Sequence, residues 1–352
     1  MFRREALLNN AAKATSDMTG IHIGFRLAWP QSFLQRAVPV MSKLDLASVD
    51  LNLFKVFEAL YEEGGAGRAA IRLGITQSAV SAALARLRLV FADHLFERTG
   101  RGLKPTAKSE ELRPVVAAAL DKCRQGLMLA FNDNAAIQGR TIALGMSDDF
   151  ELAIGRQLID QAKAHAPGIR LVFKQTHSLL ANDALMNRQF DLALTSGAVA
   201  SKALGRLALG TGGYSCLTAT SAAPVALTLE AYLEKRHVLV SSGGYVGVVD
   251  EVLAAQAQSR TVEASTTHFA ALPALLQGSD CVATLPTHAA KALAMVSHVV
   301  CQPCPIHLPR YSIELCWRID NARDPAIRLI TALLREVIAQ LPGSDTRPLL
   351  PG

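Results

Sequence analysis

Residues 73–91 read LGITQSAVSAALARLRLVF. Thr76 is a strong helix N-cap, because its hydroxyl can accept an N–H of the first turn. Gly74, just ahead of it, suits the left-handed turn that ends a preceding helix. Val80, Leu84, Leu87 and Phe91 recur at helical spacing and predict one buried stripe. The opposite face carries Gln77, Ser78, Ser81, Ala82, Ala85 and Arg88. Upstream, a helix opening at an Asp50 cap with Leu53, Phe57 and Leu60 on one face stops at Gly64-Gly65, and a short helix covers 66–73. Downstream, Leu95-Phe96-Glu97-Arg98 reads as a strand, Thr99-Gly100-Arg101-Gly102 as a turn and Leu103-Lys104 as the returning strand. Short helices followed by a two-stranded wing have a mechanical use. The third helix lies in a DNA major groove, the second braces it, and the wing reaches the flanking backbone.

Charge points the same way. The 352-residue chain carries a formal net charge of +6. From 141 to the end there are 17 basic and 17 acidic residues, so the excess lies in the first 140. Within 66–108, Arg68, Arg72, Arg86, Arg88, Arg98, Arg101, Lys104 and Lys108 stand against only Asp93 and Glu97. That is the electrostatic footprint of a domain that binds a polyanion. Gln77 can read adenine with its amide, and Ser78 and Ser81 can bond a base edge or a phosphate. Arg98 and Arg101 are placed for phosphates or a minor groove, and Lys104 and Lys108 add unspecific charge. The candidate DNA-binding set is Thr76, Gln77, Ser78, Ser81, Ala82, Arg86, Arg88, Arg98, Arg101 and Lys104.

Arg68-Ala69-Ala70, Leu73 through Ser81, Leu84, Leu87-Arg88, Asp93, Leu95-Phe96, Arg98, Gly102 and Pro105-Thr106 together resemble the LysR-type transcriptional regulators. Within that family the chain looks closest to the branch of nodulation and aromatic-catabolism regulators. The resemblance is dense over about 50–109. It implies helix three in the major groove, the wing in the minor groove, and dimers joined through a long linker helix, with a tetramer as a further family expectation. Double-stranded DNA and a small-molecule effector are the expected partners, with RNA polymerase a candidate. Two positions depart from the family pattern. Ser78 stands where many members have Pro, which is harmless at the second position of a helix, and Ala82 stands where Arg or Asn is frequent, which takes away a candidate base or phosphate contact.

A long helix from Pro105-Thr106 to about Phe131 carries Leu112, Val116, Ala119 and Cys123 at spacing that suits a partner helix, with Pro114 expected to kink it. After a linker at Asn132-Asp133-Asn134 and Gly139, apolar strands alternate with amphipathic helices. Strands are expected at 141–146, 169–175, 190–195, 213–218, 237–241, 260–264, 280–284 and 311–319. Helices are expected at 149–165, 178–188, 247–257, 267–277, 287–294 and from Asp324-Pro325 to about 341. Such alternation argues for α/β layers with largely parallel sheets. The fold class is therefore α/β overall: an N-terminal all-α winged helix-turn-helix, a long linker helix, and a C-terminal two-lobed α/β domain. The resemblance makes that domain similar to periplasmic binding proteins, with an effector in the cleft. The expected divisions are a disordered extension at 1–40, the winged helix at 41–105, the linker at 106–139, the effector domain at 140–341 and a tail at 342–352. Lobe I takes about 140–209 and 300–341, and lobe II about 210–299.

Helix N-termini offer free N–H groups to anions. The candidate effector-binding residues at such strand ends and helix starts are Ser147, Asp148, His177, Ser178, Ser196, Gly197, Tyr245, Thr267, His268 and Phe269. Ser147, Ser178 and Thr267 also read as plain N-caps, and His177 and His268 as solvated loop histidines. Asp148 would repel an anionic effector unless it is paired, or it caps its own helix.

Other functions find little support. No Gly-x-Ser-x-Gly elbow or His-Glu-x-x-His motif occurs, so no catalytic residue is assigned. Gly243-Gly244-x-x-Gly247 has the wrong spacing for a dinucleotide fingerprint, and no cofactor is expected. Cys301-Gln302-Pro303-Cys304 with His307 lacks a second ligand pair. Its prolines read as an extended crossover between lobes, so no metal is assigned, although a redox role for these thiols stays open. The scattered cysteines and the lack of a sustained apolar segment predict a cytoplasmic protein without a membrane span. The alternative is a solute-binding or enzymatic two-lobed domain with an accessory winged helix.

Overall fold

A computed structural model of the chain describes residues 49–100, 102–128, 137–197, 201–220, 226–343 and 345. The expected extension at 1–40, Arg101 and most of the 342–352 tail lie outside the described residues. Helix α1 (Asn52–Glu63) opens from Leu51, which supplies no side-chain cap, and not from the expected Asp50. It ends at Gly64, and α2 (Ala66–Leu73) ends at Gly74, both left-handed as such caps require. Helix α3 (Gln77–Phe91) starts where the Thr76 hydroxyl accepts the Ala79 N–H. Its Val80, Leu84 and Leu87 pack with Leu53, Phe57 and Leu60 of α1 in one core, while Phe91 is only partly buried.

Strands β1 (Phe96–Thr99) and β2 (Gly102–Pro105) form the antiparallel wing, with Arg98 opposite Leu103. The wing is fastened to α1 where Leu103 N–H donates to the Gly64 carbonyl at 2.8 Å and where the Phe96 ring meets that of Phe57 at 5.6 Å between centroids. A Cβ on Gly102, whose φ is +141°, would come within 2.4 Å of that same oxygen. Asp93 Oδ1 accepts from Leu95 N–H and from the Thr106 hydroxyl, which ties the wing's entrance to its exit.

Helix α4 (Ala107–Met128) runs through Pro114. Its inward face is Ser109, Arg113, Val116 and Leu120, one register away from the expected Leu112, Val116, Ala119 and Cys123 stripe. Val116 and Leu120, with Leu112 partly buried, turn back onto the winged-helix core, and Val115, Cys123 and Leu127 are left exposed.

Two five-stranded sheets follow. The first, ordered β4-β3-β5-β12-β6, comprises β3 (Thr141–Met146), β4 (Arg170–Gln175), β5 (Leu192–Thr195), β6 (Leu204–Gly212) and β12 (Tyr311–Arg318). Helices α5 (Asp148–His165) and α11 (Pro325–Ala339) cover one face through Phe150, Ile154, Leu158, Ile330 and Leu334. Helix α6 (Ser178–Met186) covers the other through Ala181 and Leu185.

The second sheet, ordered β11-β7-β10-β8-β9, comprises β7 (Tyr214–Ala219), β8 (Arg236–Val240), β9 (Thr261–Thr266), β10 (Val282–Pro286) and β11 (Val299–Pro303). One face takes α9 (Leu272–Leu276) and α10 (Thr287–Val296) against Leu217, Ala283 and Leu285. The other takes α7 (Leu229–Glu234) and α8 (Val248–Ala255) against Cys216 and Val282. Successive β7 residues thus point to opposite layers, as strand geometry demands.

Several expectations need correction. The sheets are mixed, since β12 runs antiparallel to β5 and β6, and β7 antiparallel to β10 and β11. Only β4-β3-β5 and β10-β8-β9 are parallel. Strands β6 and β11 and the six-residue α7 were not expected. The 267–277 helix is instead a 3-10 turn, Phe269–Ala271, followed by α9. Cys301, Gln302 and Pro303 belong to β11, so the crossover to β12 begins at Cys304. Among the described residues, no helix is long and apolar enough to cross a membrane.

Candidate nucleic-acid interface and interlobe cleft

Burying Val80, Leu84 and Leu87 turns the opposite face of α3 outward. Thr76, Gln77, Ser78, Ser81, Ala82 and Arg86 are all exposed there. Thr76 and Ser78 share a 2.9 Å hydroxyl contact beside the Thr76 cap. Arg98 and Lys104 are exposed on the wing, whereas Arg101 lies outside the described residues. Arg88 is the exception. It is only half exposed, and Nε donates to the His94 carbonyl at 2.9 Å while Nη2 donates to that of Phe96 at 3.1 Å. The guanidinium therefore braces the start of the wing and does not join the outward face. Arg72 is likewise occupied, by Glu62 and Glu63 at 2.5 and 3.2 Å. The basic excess is thereby narrowed toward the α3 start and the wing.

In the second half, the parallel strands β4, β3 and β5 end at one edge of the first sheet. Their C-terminal ends carry His177 and Ser178, Ser147 and Asp148, and Ser196 and Gly197 respectively. The parallel strands β8, β9 and β10 do the same in the second sheet, leading into the loop with Tyr245, into Thr267, His268 and Phe269, and into α10. Open α/β sheets bind ligands at such edges. Two contacts bring the edges face to face. Ala270 N–H donates to Asp148 Oδ2 at 2.9 Å, and His288 Nε2 lies 3.1 Å from Asp149 Oδ2.

Asp148 is therefore paired across the lobes. Ser147 occupies the cap position of α5, but its hydroxyl goes to Asp149 Oδ1 and not to a backbone N–H. His177, and not Ser178, occupies the cap position of α6, and both are half exposed. His268, and not Thr267, precedes the 3-10 turn, with its N–H on Thr266 Oγ1 at 3.4 Å. Ser196, Thr267, His268 and Tyr245 are exposed, and Phe269 packs partly into the second lobe's core.

The most buried polar cluster of the cleft went unnoticed in the sequence. Asp149 and His288 are each 3% exposed. The Tyr311 hydroxyl meets His288 Nδ1 at 3.1 Å, and Phe150 stacks on the imidazole at 4.6 Å between centroids. Burial, with the Asp149 carboxylate close by, pushes the Tyr311 phenol above its ordinary range. The available signal was a histidine heading the small apolar run Ala289-Ala290, just after a strand. Asp148 Oδ1 and Thr195 Oγ1, both buried, have no hydrogen-bond partner among the described residues.

A second unforeseen cluster joins α4 to the first lobe. Buried Arg113 donates to the carbonyls of Asn187 and Arg188 and lies 4.9 Å from the centre of the Tyr61 ring. Arg188, left-handed at φ +55°, bridges Asp121 of α4 and Asp320. Arg124 completes the chain by contacting Asp121 and Glu58 of α1, each at 2.8 Å. Burial pushes the Glu58 carboxyl up despite that arginine. The cluster borders a cavity of about 1190 Å³ lined by α1, α2, α4 and the first lobe.

Comparison with known proteins agrees with this geometry. Residues 51–110 match the model of the bacterial regulatory helix-turn-helix protein, lysR family, and residues 136–339 match the LysR substrate binding domain. The HTH-type transcriptional activator NahR of Pseudomonas putida is 30% identical, over 80% of this chain and 95% of its own. Nodulation protein D 2 of Bradyrhizobium sp. (strain NC92) is 27% identical, over 83% and 86%. The crystal structure of the probable transcriptional regulator PA0477 from Pseudomonas aeruginosa superposes with a TM-score of 0.65 at 31% identity, covering 86% of this chain and 99% of that one.

Proposed function

Since the chain belongs to the LysR family of transcriptional regulators, with a DNA-binding helix-turn-helix and an effector-binding domain, we propose a role for each surface described above. Helix α3 enters the major groove, where Gln77, Ser78 and Ser81 read base edges, while Arg98 and Lys104 on the wing hold phosphates. The small-molecule effector binds where the strand edges of the two lobes meet, against Ser147, Asp148, His177, Ser178, Ser196, Gly197, Tyr245, Thr267, His268 and Phe269. The single observation that carries the DNA assignment is the outward α3 face, polar and exposed beside a basic wing. The paired edges support the effector assignment, as do the unpartnered Asp148 Oδ1 and Thr195 Oγ1.

Effector binding changes the fit between the lobes, and the Arg113 and Arg188 contacts pass that change to α4. A ligand acts in this way only by binding one arrangement more tightly than the other. The exposed Val115, Cys123 and Leu127 of α4 suit a homodimer, with the homotetramer as the next assembly. RNA polymerase is the further partner, and the cytoplasm is where such a protein works.

Binding to a labelled fragment from upstream of its own gene, at several salt concentrations, tests this reading. Gln77→Ala should relax sequence preference, and Arg98→Ala should weaken all sequences and lower the salt slope by about 1. Binding indifferent to both changes would overturn the assignment.

A further inference from the structure

The Cys-x-x-Cys stretch does not bring its own two thiols together. Cys301 sits in β11 opposite Leu217 and packs, like it, into the layer under α9 and α10. Cys304 lies on the other face of the same sheet, in the layer with Tyr232, Ile306 and Leu308. A five-stranded sheet stands between them.

Cys304 has a different neighbour. Gln302 is the register partner of Cys216 on β7, and side chains two residues apart share a face, so Cys304 follows diagonally beside Cys216. Both side chains belong to that one layer of the core, Cys216 within it and Cys304 packed against it. Cys216 is fully buried, with its sulfur 3.6 Å from the Thr284 hydroxyl, while Cys304 is half exposed. The neighbouring Cys216 thiol holds the Cys304 thiol down at about 7 against the effect of burial, while the same neighbour and burial together push Cys216 far up. The other buried thiols, Cys281 and Cys316, are pushed up by burial.

We propose that Cys304 and Cys216 form a thiol–disulfide exchange site, taking small aliphatic disulfides as substrate and closing to a Cys216–Cys304 disulfide. The half-exposed Cys304 thiolate attacks one sulfur of the small disulfide. That S–S bond breaks, and the first thiolate leaves and takes a proton from solvent. The Cys216 thiol then attacks the Cys304 sulfur, the mixed-disulfide S–S bond breaks, and the departing second thiolate takes the proton that Cys216 gives up. Two protein thiols are oxidised, and one disulfide is reduced to two thiols. An attacking thiol works best when its pKa lies near the ambient pH, because it is then largely ionised without being a poor nucleophile. Cys304 has that property, and Cys216 is placed to resolve. Cys304 also opens the crossover from β11 to β12, so the disulfide ties the start of that crossover to β7.

The test uses the folded full-length chain. It is treated with cystamine near neutral pH, its remaining thiols are blocked with iodoacetamide, and its peptides are mapped by mass spectrometry. The expected product joins the Cys216 and Cys304 peptides and releases both halves of cystamine. Cys216→Ala, checked for native circular dichroism, should retain one cysteamine on Cys304, and Cys304→Ser should abolish the reaction of the pair. A Cys301–Cys304 link would overturn the proposal. So would cysteamine left on Cys304 of the unaltered chain with Cys216 unjoined. Both results are read on the wild-type protein, so a variant that fails to fold leaves the test intact.

Discussion

Asp149 of the first lobe and His288 of the second are joined at 3.1 Å with each side chain all but removed from solvent. Asp149 also takes the Ser147 hydroxyl, and His288 meets the Tyr311 hydroxyl, so each has a second partner. Removing one member of such a buried pair leaves the other without its partner, which is strongly destabilising. His288→Ala should therefore destabilise the chain by about 3 kcal/mol. Asp149→Asn with His288→Ala should cost less than the sum of the single changes, by about 1 kcal/mol or more. Urea denaturation of the four proteins in that cycle measures both quantities, and strict additivity would deny the coupling.

Arg113 is the corresponding fastener between α4 and the first lobe. Its removal leaves the Asn187 and Arg188 carbonyls without their donor and takes a cation from the Tyr61 ring. Arg113→Ala should cost about 2 kcal/mol and should uncouple the domains. Small-molecule binding, read by calorimetry, should persist, while the effector-dependent shift in DNA affinity, read by fluorescence anisotropy, should shrink. Arg113→Lys should not restore it, because one ammonium cannot reproduce a planar fork that serves two carbonyls.

Arg88 and Arg98 separate support from recognition. Arg88 donates to two backbone carbonyls at the wing's start, whereas Arg98 stands exposed on β1. Arg88→Ala should lower stability by about 1–3 kcal/mol with unchanged sequence preference. Arg98→Ala should leave stability within about 0.5 kcal/mol and weaken DNA binding. Thermal unfolding alongside DNA titration distinguishes them, and a reversed pattern would move Arg88 back to the DNA face.

Much of this architecture was legible because local rules and packing agree. The Gly74 stop ends α2, and the Thr76 cap and the Val80/Leu84/Leu87 stripe state α3 in two independent ways. Arg88 misled because spacing places a residue on a face but does not say that a long side chain bends back to bare carbonyls. The antiparallel strands β6, β11 and β12 show a different limit. Local pattern gave β12 but neither β6 nor β11, and the partners of all three are set by chain returning from far away, as with Leu315 between Leu194 and Leu207. Asp149 was hidden beside Asp148 for a similar reason. Which of two adjacent acids turns inward depends on His288, 139 residues on.

Gly102 sits against the Gly64 carbonyl at the end of α1. At φ +141° and with the Gly64 carbonyl oxygen 2.4 Å from where a Cβ would stand, alanine is both strained and in collision with backbone. Gly102→Ala should cost at least about 2 kcal/mol and lift the wing off α1. DNA affinity should fall with it. Gly100→Ala meets nothing within 4 Å and is the control, expected to be neutral. Equal melting temperatures for the two variants would show that the wing is not fixed by this contact.

His237 makes the second lobe sensitive to acid. It is fully buried, Nε2 bonds the Tyr232 carbonyl at 2.9 Å, and Arg260 Nη1 lies 3.3 Å from Nδ1. Burial, reinforced by the Arg260 cation, pulls its pKa from 6.5 down to about 4, against the Tyr232 carbonyl and Asp250, which favour the proton. Above pH 6.5 the imidazole is neutral in both folded and unfolded chains, and its contribution is constant. Between 6.5 and about 4 the unfolded chain takes up a proton that the folded chain refuses, so stability declines as pH falls. Below about 4 both states hold the proton and the decline from this group ends. The full span corresponds to about 3 kcal/mol. His237→Gln removes the titration, so the stability difference between wild type and variant, followed by urea denaturation from pH 7 to 4, should change by that amount in favour of the variant. A difference that stays constant over this range would mean that His237 takes its proton as readily in the folded lobe as in the unfolded chain.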